Sequence, residues 1–322
     1  MRAIRFHAHG GPEALVLDEI PEPSPGRGEA RVRMAFAGVN FIDVYLRTGL
    51  YAAGSLPARP GKEGSGVVDA VGEGVTEVAV GDRVAFCEGT GAYAESTVLA
   101  AERLLPVPEA LGDEAAAALP LQGMTADYLV RTIGRVGAGD VVLVHAVAGG
   151  VGQLACQMAK AAGATVIGTC STEAKAAAAR KAGCDHPILY TEEDFAERAL
   201  EITGGRGCDV VLDSVGRSTF HGSVRATRLR GTLVVFGQSS GMIEPVSPRP
   251  VLGSRTLVSA TLFDYIAERA ERLERWRRVS AAAASGELAV AVDRVVPLAS
   301  AGDAQRALEG RETSGKVLID CR

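Results

Sequence analysis

Three glycines, Gly149, Gly150 and Gly152, fall between an apolar run, "DVVLVHA", and a stretch in which Val151, Leu154, Ala155, Met158, Ala159 and Ala162 recur at helical spacing. Glycine lets the backbone approach a ligand closely, and a helix N-terminus adds unpaired N–H groups and partial positive charge. A pyrophosphate suits such a turn, with Gly149, Gly150, Val151 and Gly152 against it. A second apolar run, "TVIGTC", completes a strand–turn–helix–strand unit over residues 142–170. The first glycine of the usual dinucleotide fingerprint is absent, since Val147 and Ala148 precede Gly149. The flanking elements therefore carry the reading; the alternative is an α/β turn that needs small residues only for packing.

An acid after the second strand would accept from the ribose 2′-hydroxyl of NAD and repel the 2′-phosphate of NADP. Here Thr169, Cys170, Ser171 and Thr172 occupy that place. Ser171 and Thr172 can donate hydrogen bonds, and Lys175 follows one helical turn later as a cation for the phosphate. NADPH is the expected cofactor. Glu173 is the rival, as a displaced ribose acceptor, although the helix dipole also accounts for a glutamate at a helix start.

The elements that must position these residues divide the chain. Residues 1–119 read as short strands punctuated by Gly and Pro, as in "ARVRMAFAGV", "GVVDAVG" and "GDRVAF". Residues 120–261 alternate strands ("DVVLVHA", "TVIGTC", "HPILY", "DVVLDSVG", "TLVVFG", "TLVSATL") with helices, the pattern of a parallel sheet covered on both faces. Residues 262–322 open with a long helix over about 264–285, followed by strands around "ASAGDAQRALEGRE".

At 47% hydrophobic, 23% charged and net charge −5, the 322-residue chain has no electrostatic case for nucleic acid or an anionic membrane. It has no uninterrupted apolar run of about 18 residues and no signal-peptide pattern at its start. Its six cysteines, Cys87, Cys156, Cys170, Cys184, Cys208 and Cys321, lack zinc-knuckle spacing and fit a reducing cytoplasm. Asn40 is its sole asparagine, which fits a heat-adapted source or an arginine-favouring genome.

Taken together, "HAVAGGVGQLACQMAKAAGATVIGT", "GRGCDVVLDSVG", "GTLVVFGQSSG" and "AGVNFIDVYLRTGLY" resemble the zinc-free quinone oxidoreductases of the medium-chain dehydrogenase/reductase superfamily, the group of ζ-crystallin. The resemblance covers essentially the whole chain. It implies an α/β fold: a doubly wound Rossmann domain beside a discontinuous, β-rich GroES-like domain built from both chain ends, with NADPH in the cleft. Zinc alcohol dehydrogenases of the superfamily have a cysteine where this chain has Asn40, and Gly-His-Glu where it reads Gly61, Lys62, Glu63. They also carry a four-cysteine lobe, whereas residues 1–119 contain only Cys87. Neither zinc set can be assembled, so no metal is expected. His7 and His9, spaced as a same-face strand pair, lack a third ligand.

Hydride transfer to an unactivated ketone builds alkoxide charge that zinc would stabilise. A quinone or enone spreads that charge through its π-system, so missing zinc favours an activated acceptor. The resemblance puts Asn40, Tyr45 and Tyr51 at the nicotinamide end: Asn40 as an amide holding cofactor or substrate oxygen, either tyrosine as donor to a developing oxyanion. It also implies Phe236, Gly237, Gln238 and Ser239 beside the nicotinamide, Thr125 close to it, Tyr190 near the adenosine and Arg311 near the phosphates. Ser214 lies on a strand-end loop of the kind that borders such ligands. The expected activity is NADPH-dependent quinone reduction. An enone or alkenal reductase and a dinucleotide-binding protein with little turnover are the alternatives. "TLVSATLF" could pair across a homodimer as an edge strand.

Overall fold

Apolar runs of four to six residues form strands buried on nearly every position, as in β-strands Val141–Val144, Thr165–Cys170 and Cys208–Asp213. That is the signature of a parallel sheet covered on both faces. The computed structural model describes the backbone of residues 1–322 and all side chains except that of Pro250. It contains two units, one of Met1–Leu121 with Ile266–Arg322 and the other of Gln122–Tyr265.

The first unit begins with β1 (Arg2–Arg5), β2 (Val16–Glu19), β3 (Glu29–Gly38), α1 (Phe41–Thr48), β4 (Glu63–Val71), β5 (Arg83–Phe86), β6 (Ser96–Ala100), β7 (Leu105–Pro106) and α2 (Asp113–Ala118). After α3 (Pro120–Asp127), the second unit contributes β8 (Val141–Val144), α4 (Gly150–Ala161), β9 (Thr165–Cys170), α5 (Glu173–Lys181), β10 (His186–Leu189), α6 (Phe195–Ile202) and β11 (Cys208–Asp213). It continues through α7 (Phe220–Ala226), β12 (Thr227–Val235), α8 (Pro248–Leu252) and β13 (Thr256–Ser259). The chain then returns to the first unit with α9 (Arg269–Ala284), β14 (Val292–Pro297), α10 (Ala301–Glu309) and β15 (Lys316–Asp320).

In the second unit six parallel strands run in the order β10-β9-β8-β11-β12-β13. The order reverses between β8 and β11, and ligands of such sheets bind outside the strand C-termini at that point. The core joins Leu143, Ile167, Val211 and Leu233 from the sheet to Phe220 and Val224 of α7.

The first unit holds a sheet in the order β14-β15-β3-β4-β5-β7, with β6 also on β3. β15 pairs antiparallel with β3, Leu318 opposite Gly38, so the C-terminal strand runs beside the residues that lead into Asn40. Val32, Met34, Val68, Phe86, Tyr93, Val317 and Ile319 share one core.

Two local expectations change. "TLVSATLF" is a strand only to Ser259; Leu262–Tyr265 form a 3-10 turn and the long helix starts at Arg269. Tyr265 stacks flat on Tyr128, ring centroids 4.5 Å apart, and that packing favours a tight turn over continued helix. His7 and His9 are not a strand pair, because β1 ends at Arg5. His7 bonds Asp18 at 2.9 Å, while His9 meets the Arg47 carbonyl at 3.1 Å.

Candidate functional site

In the second unit the glycine turn leaves β8 at His145 and enters α4, whose N-cap is Gly149 with no side-chain cap. Its first N–H groups thus face outward without an internal acceptor from a capping side chain. A Cβ on Gly152 would lie 2.4 Å from the Ala146 carbonyl oxygen and 2.8 Å from Val147 Cα, both backbone atoms. Glycine is therefore required there, for close packing of helix on strand. The missing first glycine is compensated one residue earlier: Ala146 takes φ 49°, in the left-handed region. Its N–H donates to Thr169 Oγ1 (3.3 Å) and its carbonyl accepts from Gly149 N (2.8 Å).

A buried chain of hydrogen bonds stands behind this turn. Ser223 Oγ donates to Asp213 Oδ2 at 2.7 Å, so it accepts from His145 Nε2 at 2.9 Å. That leaves His145 Nδ1 to accept from the Thr169 hydroxyl at 3.0 Å, which assigns the Nε2–H tautomer. Burial pushes His145 below its ordinary pKa, only partly opposed by the Asp213 carboxylate. Asp213 Oδ1 accepts from Val215 N, Gly216 N and Thr219 Oγ1 at 2.8, 3.0 and 2.8 Å, shaping the loop that holds Ser214. Ser214 in turn accepts from Ser239 N, and Phe236 N donates to the Asp213 carbonyl. Gly237, Gln238 and Ser239, all half-buried, follow β12 on this side. The glycine and loop motifs do not point to His145, Asp213 or Ser223; a histidine and an aspartate each closing a buried apolar run are the available signal.

Where β9 ends, Thr172 caps α5 by accepting from Lys175 N at 3.3 Å, and Glu173 is the first helical residue. Ser171 and Lys175 are half-buried, and exposed Tyr190 donates its N–H to the Cys170 carbonyl. Thr125 is buried on α3.

In the first unit, Asn40 begins α1, and its side chain is committed internally. Asn40 Nδ2 donates to Glu63 Oε2 (2.8 Å) and the Gly38 carbonyl (3.2 Å), while Oδ1 accepts from Lys316 Nζ (2.8 Å). Lys316 also pairs with Glu63, whose Oε1 accepts from Leu121 N at 2.6 Å. In this structure both hydrogens of the Asn40 amide are engaged within the unit. Lys316 fixes the amide's orientation by donating to its oxygen, and meets Asn40, far away in the chain, only through the β15–β3 pairing. A Cβ on Gly38 would come 2.5 Å from Glu63 Oε2 and 2.7 Å from Lys316 Cε, so glycine makes room for the pair.

Beneath it, fully buried Asp43 accepts from Asn40 N, Gly61 N, Lys62 N and Tyr93 Oη at 3.0–3.2 Å, tying α1 to the loop before β4. Burial pushes its pKa up to about 6 against those bonds. Burial and Asp43 together raise Tyr93 well above the usual phenol value. Tyr45 and Tyr51 meet edge to face with centroids 5.1 Å apart, and Tyr51 is 40% exposed. Arg311 follows α10 at the surface with φ 57°, its N–H on the Leu308 carbonyl.

Residues 26–109 match the model of the alcohol dehydrogenase GroES-like domain and residues 150–279 that of the zinc-binding dehydrogenases. The chain is 41% identical to a quinone oxidoreductase of Pseudomonas aeruginosa over 322 residues, covering 99% of each. The chain belongs to the quinone oxidoreductase family of the medium-chain dehydrogenase/reductases. It is also 41% identical to a 2-haloacrylate reductase of a Burkholderia species, over 98% of this chain and 97% of that one. The crystal structure of Escherichia coli quinone oxidoreductase complexed with NADPH superposes with a TM-score of 0.96 at 41% identity, covering 99% of this chain and 100% of that one.

Zinc is implied by the name of one matching model, and the residues do not fit it. Asn40 offers an amide with both hydrogens engaged, Glu63 is paired with an ammonium, and Lys62 is a cation where a family histidine would ligate. Among the described residues no three His, Cys, Asp or Glu side chains converge as a metal site.

Proposed function

We propose that the protein reduces quinones with NADPH, without a metal. The observation that carries this reading is the end of β9: Thr169–Thr172 contain no acid, and Lys175 stands one turn into α5. That arrangement accepts a 2′-phosphate and gives a 2′-hydroxyl no carboxylate partner there. It agrees with relatives named for quinone reduction and for a complex with NADPH.

When bound, the cofactor supplies a hydride, and with one proton a quinone becomes its hydroquinone. Gly149, Gly150, Val151 and Gly152 hold the pyrophosphate on the uncapped N-terminus of α4. Ser171 and Lys175 hold the 2′-phosphate, with Tyr190 near the adenosine. Thr125, Ser214, Phe236, Gly237, Gln238 and Ser239 border the nicotinamide, and Arg311 serves the phosphates. Tyr45 or Tyr51 donates a hydrogen bond to the acceptor oxygen. Asn40 acts through the backbone, fixing the start of α1 with Lys316 and Glu63. An activated acceptor needs no metal because its π-system takes up the charge.

The 2-haloacrylate reductase relative favours a second reading, reduction of an activated carbon–carbon double bond by the same hydride step. Stopped-flow oxidation of NADPH against a panel of quinones, enones and haloacrylates, with and without chelator, distinguishes the two. The expected result is quinone-dependent oxidation insensitive to chelator. Loss of activity with chelator, or no acceptor dependence, would overturn the proposal; the latter would favour a binding protein.

The edge strand β13 pairs only with β12 among the described residues and leaves Leu257 37% exposed. This supports a homodimer joined β13 to β13, to be checked by mass in solution. Six free, buried cysteines support a reducing cytoplasm, and no described helix is long and apolar enough to cross a membrane. The single asparagine supports a heat-adapted source.

A further inference from the structure

Glu173, at the first position of α5, is the first acid after β9. A free carboxylate there would repel a 2′-phosphate and invite a 2′-hydroxyl. It is not free. Arg180 Nη1 donates to Glu173 Oε1 at 2.5 Å, from two turns further along the same helix.

This pair has an unusual layout. Arg180 belongs to the last turn of α5, where the helix dipole already favours a cation. Its guanidinium instead lies back toward the N-terminal end, against Glu173. The two side chains are 52% and 68% exposed, and pairs this exposed add little to stability. The consequence of the pair therefore falls on the charge at the start of α5 more than on the fold. Arg180 thus holds an oxygen of the Glu173 carboxylate, while Thr172 Oγ1 accepts from Lys175 N.

We propose that Arg180 is a specificity-determining residue for the cofactor: by holding Glu173 it cancels an anion that would oppose NADPH and withdraws an acceptor that would serve NADH. The inference rests on the NADPH reading above. It separates two roles at this helix start. Lys175 attracts the phosphate, and Arg180 removes the repulsion.

The test is a double-mutant cycle on the full chain, with dissociation constants for NADPH and NADH read by nucleotide fluorescence in wild type, Arg180→Ala, Glu173→Gln and the double variant. Arg180→Ala is expected to lower the NADPH-over-NADH preference about 3- to 10-fold, as one unshielded surface charge near a dianion should. Adding Glu173→Gln should restore the preference to within about twofold of wild type, because the anion is gone. Equal loss for both nucleotides would show a structural role and overturn the inference. A double variant as impaired as Arg180→Ala would also overturn it, showing that Arg180 contacts the phosphate itself. A wild-type preference for NADPH that Arg180→Ala leaves unchanged sinks this inference alone. A wild type without that preference sinks the cofactor reading and this inference with it.

Discussion

Lys316 places its ammonium on the carboxylate of Glu63 with both side chains essentially out of water, 1% and 0% exposed. Two residues 253 positions apart thus share one charge pair, closed by Asn40 on the third side. A buried pair can cost as much in desolvation as its attraction returns, yet breaking it by removing one partner is costly because the other charge is left alone. Lys316→Met is expected to destabilise the first unit by about 3–5 kcal/mol. Adding Glu63→Gln removes the stranded charge and keeps an acceptor for Leu121 N. The double variant should regain more than half of the loss in urea unfolding. A double variant no more stable than Lys316→Met would show that packing of the lysine stem, not charge, dominates.

Asp43 gives the same unit a pH signature. Its pKa is raised from 3.8 to about 6 by burial. Between those values the folded state holds a proton that the unfolded chain has released, so stability from this group falls as pH rises through that window. The full contribution is about 3 kcal/mol, present below about pH 4 and absent above about pH 6. Asp43→Asn removes the titration. The wild type should therefore lose stability relative to Asp43→Asn between pH 4 and 6, with a flat difference above pH 7. A flat difference throughout would mean that the four hydrogen bonds to Asp43 hold it at an ordinary value.

The parts legible in the sequence are those with local signals. Alternating buried runs and amphipathic helices announce the doubly wound sheet, and Gly149–Gly152 lie within one strand–helix–strand unit, with Ser171 and Lys175 directly after its second strand. What was not legible depends on partners brought together by the sheet. Lys316 reaches Asn40 only because Leu318 pairs with Gly38 across β15 and β3. His145 meets Thr169 and Ser223 because β8 lies next to β9 and α7 packs on the sheet. His7 and His9 misled by spacing alone, since the strand that would align them ends at Arg5.

Gly152 and Gly149 should respond differently to alanine. A Cβ at Gly152 meets backbone atoms at 2.4 and 2.8 Å, while one at Gly149 meets only the Ala146 carbonyl at 3.2 Å. Backbone cannot swing aside as a flexible side chain does, so Gly152→Ala must displace α4 from β8. The expected outcome is a fall in urea midpoint for Gly152→Ala, with NADPH affinity reduced at least about tenfold. Gly149→Ala should keep wild-type stability and lose affinity alone. Equal stability of the two variants would overturn this account of the turn.

His145 offers the converse pH test in the second unit. Its Nδ1 accepts from Thr169 and its Nε2 donates to Ser223, so a second proton would turn the acceptor into a donor facing a hydroxyl that already receives Ala146 N–H. Burial accordingly holds the folded pKa below 6.5. As pH falls below about 6.5 the unfolded chain gains a proton that the folded chain refuses, and stability from this group declines, the opposite sign to Asp43. His145→Leu abolishes that decline but leaves the Thr169 and Ser223 hydroxyls short of a partner, costing about 2–4 kcal/mol at pH 8. Wild type and His145→Leu should therefore converge in urea midpoint as pH drops from 7 to 5. NADPH affinity should weaken in the variant more than the KM for the quinone does, because the chain of bonds supports the glycine turn and the Asp213 loop. A KM for quinone that rises in step with the NADPH dissociation constant would assign His145 to general packing of the unit instead.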